Sequence, residues 1–134
     1  MNLRACSLGA ILAGAIAAPA FAHHSFAMFD AEKMITAKGV VKEFEWTNPH
    51  SWIRVMVSDK ATGKELQWAF EMSSPATMKN LGMTPDTVKP GDIVTVTYHP
   101  LKDGSRGGQF MQALLPNGQL AVRRAGGPNL KEQE

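Results

Sequence analysis

Between Lys38 and Leu115 the apolar residues recur at every second position in five runs, with one interruption. That period belongs to strands that bury one face. In the first run, Lys38–Trp46, Val40, Phe44 and Trp46 share one face, and Val41, Glu43 and Glu45 the other. Trp52–Ser58 follows, with Ile53, Val55 and Val57 in phase; Glu65–Glu71 repeats the pattern with Leu66, Trp68 and Phe70. Asn48-Pro49-His50 is turn chemistry, and the polar stretch Asp59–Lys64, containing Gly63, reads as a hairpin connection.

After Glu71 the period changes. Ser73 or Ser74 suits a helix cap, Pro75 suits its first turn, and Gly82 ends a helix over Ala76–Leu81. Pro85 and Pro90 punctuate the next loop. Gly91-Asp92 then leads into a fourth strand, Ile93–His99, which sets Ile93, Thr95, Thr97 and His99 opposite Val94, Val96 and Tyr98. Leu101–Gly108 reads as a glycine-rich turn and Gln109–Leu115 as a fifth strand. Pro116-Asn117-Gly118 is a further turn before a short strand at Leu120–Val122. Three strands, a helix and two strands is the order of an OB-like five-stranded barrel with one short helix between strands 3 and 4. A β-sandwich is the alternative; the helical interruption and the small strand number favour the barrel.

Residues 1–22 read as a signal peptide. Arg4 is its positive region, Leu8–Ala18 is an apolar run, and Ala20-Phe21-Ala22 is a cleavage site after Pro19. The run of about 11 residues is too short to cross a hydrocarbon core of roughly 30 Å as a helix. The reading divides the chain into the leader, an OB-like domain over 23–124 and a flexible tail over 125–134. It places the protein in the periplasm or outside the cell, with no membrane span after cleavage. Cys6, the single cysteine, precedes the apolar run rather than following it, so lipidation is not expected. Without it the domain holds no thiol, which excludes thiolate metal sites and cysteine nucleophiles. Of the 14 Lys and Arg only Arg4 precedes residue 23, against 12 Asp and Glu, so the remaining charge is nearly balanced and dispersed. Nucleic-acid binding, which needs a dense basic face, is not expected.

Cleavage after Ala22 leaves His23 as the first residue and His24 as the second. An N-terminal histidine offers an α-amine and an imidazole together. A second imidazole, from His50 or His99, completes a planar three-nitrogen set of the kind Cu(II) favours. His24 is near enough in sequence to contribute. The arrangement matches, in ligand chemistry, the histidine brace of exported copper oxygenases and carriers.

Three segments also carry a resemblance. Ala22-His23-His24-Ser25-Phe26, Glu45-Trp46-Thr47-Asn48-Pro49-His50-Ser51-Trp52 and Lys89-Pro90-Gly91-Asp92 together resemble a family of small exported bacterial proteins known only as a domain of unknown function. The likeness runs from His23 to about Leu120 and implies an exported, β-rich domain. It brings no catalytic or binding residues with it.

Glu71, at the end of the third strand, is the best-placed site carboxylate, whereas Glu43 and Glu45 alternate onto the solvent face. Trp46 and Trp68 lie in the apolar phase of their strands. Trp52 is out of phase with Ile53, Val55 and Val57, which makes it a candidate ligand-stacking residue beside His50. No Ser–His–Asp order, nucleotide fingerprint or His-Glu-x-x-His helix occurs, and a non-catalytic role is expected. Two functions compete. One is a periplasmic module that binds a metal ion, copper for preference, or a small ligand, through His23, His24, His50, His99, Trp52 and Glu71. The other is a metal-free interaction or structural module that meets an envelope protein.

Overall fold

The computed structural model describes residues 26–122. The leader, His23, His24 and the expected tail 125–134 lie outside the described residues. The chain opens with a 3-10 turn, Phe26–Met28, and continues as β1 (Ile35–Glu45), β2 (Trp52–Ser58), β3 (Glu65–Glu71), α1 (Pro75–Asn80), β4 (Ile93–Pro100), β5 (Gly107–Leu114) and β6 (Leu120–Val122). The strands hydrogen-bond in the order β3-β2-β1-β4-β5-β6, and β5 also pairs parallel to β3. That pairing closes five strands into a barrel, with α1 between the third and fourth strands, as the order of elements predicts.

Phe70, Tyr98, Phe110, Ile53, Val55 and Val96 fill the interior and are buried. The Phe70 and Tyr98 rings lie 4.8 Å apart between centroids, and Trp68 meets Tyr98 edge-on at 6.0 Å. Burial raises the Tyr98 phenol above its ordinary pKa. Helix α1 forms because Ser74 caps it, accepting from the Thr77 amide at 3.4 Å, and Pro75 occupies its first turn. It delivers Met78, fully buried, to the core beside Met72 and Met83.

Simple alternation breaks at two register shifts, one in β1 against β2 and one between β4 and β5, where Met111 is the extra residue. In β1 the register with β2 shifts between Val41 and Glu43, so Lys42 is an extra residue. Val41 therefore shares the inward face with Phe44 and Trp46, while Val40 is 41% exposed; the expected grouping of Val40 with that pair is corrected. The strand phase changes at the bulge, and period alone carries no sign of it.

A further difference from the sequence reading concerns Gly107 and Gly108, expected in a turn but found in β5. A side chain at Gly107 would collide with the Ala69 carbonyl of β3, and one at Gly108 with the His99 carbonyl of β4. Gly107 also has φ +133°, a conformation that favours glycine. The pair lets β5 wedge between β3 and β4, which is where the barrel closes.

Candidate functional site

The site is assembled on the outside of the barrel. The β2–β3 ladder continues past Trp52. The Ser51 amide donates to the Ser73 carbonyl at 3.1 Å and the Met72 amide to the Ser51 carbonyl at 2.8 Å. This extension holds the β1–β2 loop, with its cis Asn48–Pro49 bond, against the end of β3 and brings His50 to Glu71. His50 Nδ1 pairs with Glu71 Oε1. The Glu71 side chain is only 9% exposed and the His50 side chain 35%, so the carboxylate is shielded and the ring stands at the surface of the pocket.

Barrel closure adds a second set of neighbours. Glu71 lies opposite Trp52 on β2 and opposite Gln109 on β5, and Gln109 in turn lies opposite His99 on β4. Phe70 and Phe110 point inward, so Trp52, Glu71, Gln109 and His99 form a row on the outer face. The segment before β1 crosses beside the row. The Asp30 amide donates to the Pro100 carbonyl at 2.8 Å, the Lys102 amide to the Met28 carbonyl at 3.0 Å, and Phe29 bridges to Leu101. His99 Nδ1 donates to the Lys33 carbonyl at 2.6 Å. The partly exposed Asp30 carboxyl pairs with Lys33 at 2.9 Å, which holds its pKa below the ordinary carboxylate value.

Between this segment, the β1–β2 loop and the start of α1 lies a pocket of about 210 Å³. Its lining includes Phe26, His50, Glu71, Ser74, Thr77 and Gln109. The structure thus brings together His50 and Glu71, two of the residues singled out from sequence. His99 lies in the same row but does not line the pocket, and its Nδ1 is engaged by the backbone. Trp52 borders Glu71 in register, but the Arg54 guanidinium sits over its ring, 6.0 Å from the centroid. Arg54 is held there by Glu45, through Nη2 at 2.6 Å and Nε at 2.8 Å, with Glu43 at 3.5 Å. Among the described residues no three His, Cys, Asp or Glu side chains gather to hold a metal. No helix among them is long and apolar enough to cross a membrane.

Phe26 and Gln109 were not singled out from sequence. Gln109 enters the site only through the parallel β3–β5 pairing, which has no local signal, and Phe26 through backbone bonds far along the chain.

A family model matches residues 11–111. The chain belongs to DUF6152, a family of unknown function. The span matched by DUF6152 contains both the His23–His24 pair and the His50–Glu71 pair. No curated protein and no solved structure matches the chain.

Proposed function

We propose that this protein is exported to the periplasm and binds one copper ion in the pocket beside His50, with the ligands supplied by His23 and His50. The observation that carries the reading is the lining of the pocket by Phe26 together with the His50–Glu71 pair. Phe26 is three residues after His23, so their Cα atoms are at most about 11 Å apart in any conformation. Removal of residues 1–22 would leave a histidine with a free amine tethered to the mouth of this pocket.

The local chemistry supports His50 over His99 as the second imidazole. Glu71 engages Nδ1 of His50 and leaves Nε2 for a ligand. A carboxylate behind a ligating imidazole fixes the ring and its tautomer and raises its basicity. One amine and two imidazoles form the nitrogen set that Cu(II) favours, and Cu(II) heads the divalent affinity order. His24 is a fourth candidate donor. His99 is supported only as an anchor for the Lys33 backbone.

The test begins with the exported protein: its N-terminal mass, then a Cu(II) titration followed by spin resonance. Expected are a start at His23, one tight equivalent and hyperfine structure from three nitrogens. An alanine placed before His23, or His50→Ala, should abolish that signature. Undiminished tight binding with either change refutes the brace.

A metal-free interaction module is the second reading, and one observation favours it. Val40 and Ile93 are paired across β1 and β4 on the outer face, 41% and 56% exposed, and Leu114 is exposed on the adjoining strand. An apolar face of this kind suits a protein partner of the envelope.

A further inference from the structure

The ladder that closes the barrel is short: β5 pairs with β3 only from Ala69 to Glu71. Along β3 the backbone groups point alternately towards β2 and away from it. The Ala69 amide points away, donating to the Arg106 carbonyl at 3.3 Å. The backbone groups of Gln67 and Glu65 point the same way, and among the described residues no strand pairs with them there. Both residues are exposed. This open edge offers two amides and two carbonyls over roughly 10 Å. The Gln67 side chain leaves it free, because Oε1 accepts from Lys42 Nζ of β1 at 2.7 Å.

On the Ala69 side the edge is stopped by the chain entering β5. Gln67, Gly104, Ser105 and Arg106 line a cavity of about 380 Å³ at that point. Arg106 is exposed and forms no ion pair among the described residues. A strand laid on the edge cannot run on past Arg106, so it ends or turns at a guanidinium. We infer that the β3 edge binds the carboxy-terminal segment of another protein, added as a strand parallel to β3 with its terminal carboxylate on Arg106. Main-chain bonds to Glu65 and Gln67 hold the segment. Arg106 selects a terminus, because paired guanidinium N–H groups match a carboxylate. An antiparallel strand would bring an amine to the same cation. Alternate residues of the segment lie beside Leu66 and Trp68, both half-buried, so apolar side chains suit those positions. The surface shares no residue with the His50 pocket, and the inference stands apart from the copper reading.

The probe is the peptide acetyl-Thr-Val-Thr-Val-Val with a free carboxyl end, titrated into isotope-labelled protein and followed by NMR. The amide resonances of Glu65 and Gln67 should shift saturably. A carboxamide in place of the peptide's carboxylate should weaken binding about tenfold, the worth of a hydrogen bond to a charged group. Arg106→Gln should weaken the acid peptide to the same extent and leave the carboxamide peptide unaffected. Gln67→Pro removes an N–H that the fold does not use, which an edge strand tolerates, and should abolish binding; Gln67→Ala keeps the backbone and should bind as wild type. Far-UV circular dichroism checks folding; if the proline variant does not fold, Arg106→Gln decides. Shifts confined to other strands, no saturable shift with millimolar acid peptide, or equal affinity for the acid and carboxamide peptides overturns the assignment. Copper uptake does not enter the measurement, so its failure would leave this result standing.

Discussion

Val40 and Val41 are chemically identical neighbours, and the bulge at Lys42 gives them opposite environments: 41% exposed against 2%. Each substitution to alanine removes two methyl carbons. At Val41 the lost transfer free energy is about 1.6 kcal/mol at roughly 0.8 kcal/mol per carbon. A cavity term of up to about 1 kcal/mol adds to it if a void of some 40 Å³ persists at about 24 cal/mol per Å³. Val41→Ala should therefore cost about 2 kcal/mol. At Val40 solvent fills the space, no cavity forms, and about 0.5 kcal/mol is expected. The lower strand propensity of alanine affects both variants and drops out of the difference. The remaining gap of about 1.5 kcal/mol corresponds to roughly 1 M in the urea midpoint for a domain of this size. In melting temperature it is about 6–12 °C. Urea unfolding of the two variants side by side, with equal slopes, makes the measurement. If Val40→Ala is the more destabilising, strict alternation from Val40 through Phe44 holds and the bulge is wrong.

Three further outcomes follow from the same structure. Gly108→Ala drives a methyl group into the His99 carbonyl and the Tyr98 ring, and should cost at least about 2 kcal/mol, measured by urea unfolding; a neutral effect would contradict the tight β4–β5 contact. Asp59 accepts from the amides of Thr62 and Ala61 at 2.9 and 2.8 Å, and these bonds lower its pKa from 3.8. Its ionised form is the one favoured by folding, so its contribution is complete above pH 3.8 and fades as pH falls through the folded value. An NMR titration should place the Asp59 midpoint below 3.8, and Asp59→Asn should flatten the acid limb of stability. Glu71→Gln keeps an acceptor for His50 Nδ1–H but removes the charge; under the proposed function it should lower Cu(II) affinity at least tenfold in a competition titration, and unchanged affinity would mean that Glu71 does not tune the ligand.

The legible parts of the fold were those governed by local chemistry. Ser74 and Pro75 announce the helix start because cap and first-turn preferences act within four residues. Glu43 and Glu45 face outward because a carboxylate on the inner face would lie unpaired among Phe70 and Tyr98. Lys42 gave no such warning: it is a polar residue between two faces, and only the partner register in β2 reveals that it is surplus. Gly107-Gly108 looked like a turn because glycine is permissive; its second use, close backbone approach, depends on strands distant in sequence. The site divides in the same way. Glu71 could be chosen as a carboxylate at a strand end, and His50 as a turn histidine, but their pairing depends on the β2–β3 ladder running one step beyond Trp52. The stacking of Arg54 on Trp52 needed the β1–β2 register, which sets Glu43 opposite Arg54 and Glu45 opposite Trp52.

The core also explains why the proposed ligand site lies outside the barrel. Phe70, Tyr98 and Phe110 occupy the interior fully, so nothing can bind there without displacing the side chains that hold the strands together. Polar chemistry must be built on the outer wall. That wall is most crowded where β5 lies between β3 and β4, because the two glycines bring three backbones close and shield the side chains just beyond them. Glu71 and Gln109 are both more than nine-tenths buried on this outer face, which an isolated strand pair would leave open to water. The segment from Phe26 to Lys33 is bonded to the backbone of this same strip at Pro100, Leu101 and Lys102. A closure needed for the fold therefore supplies a shielded carboxylate and a fixed path for the chain from Lys33 back to Phe26. Under the proposed function these are the features a site using a terminal amine requires, because such an amine can act only where the chain is brought to its partners.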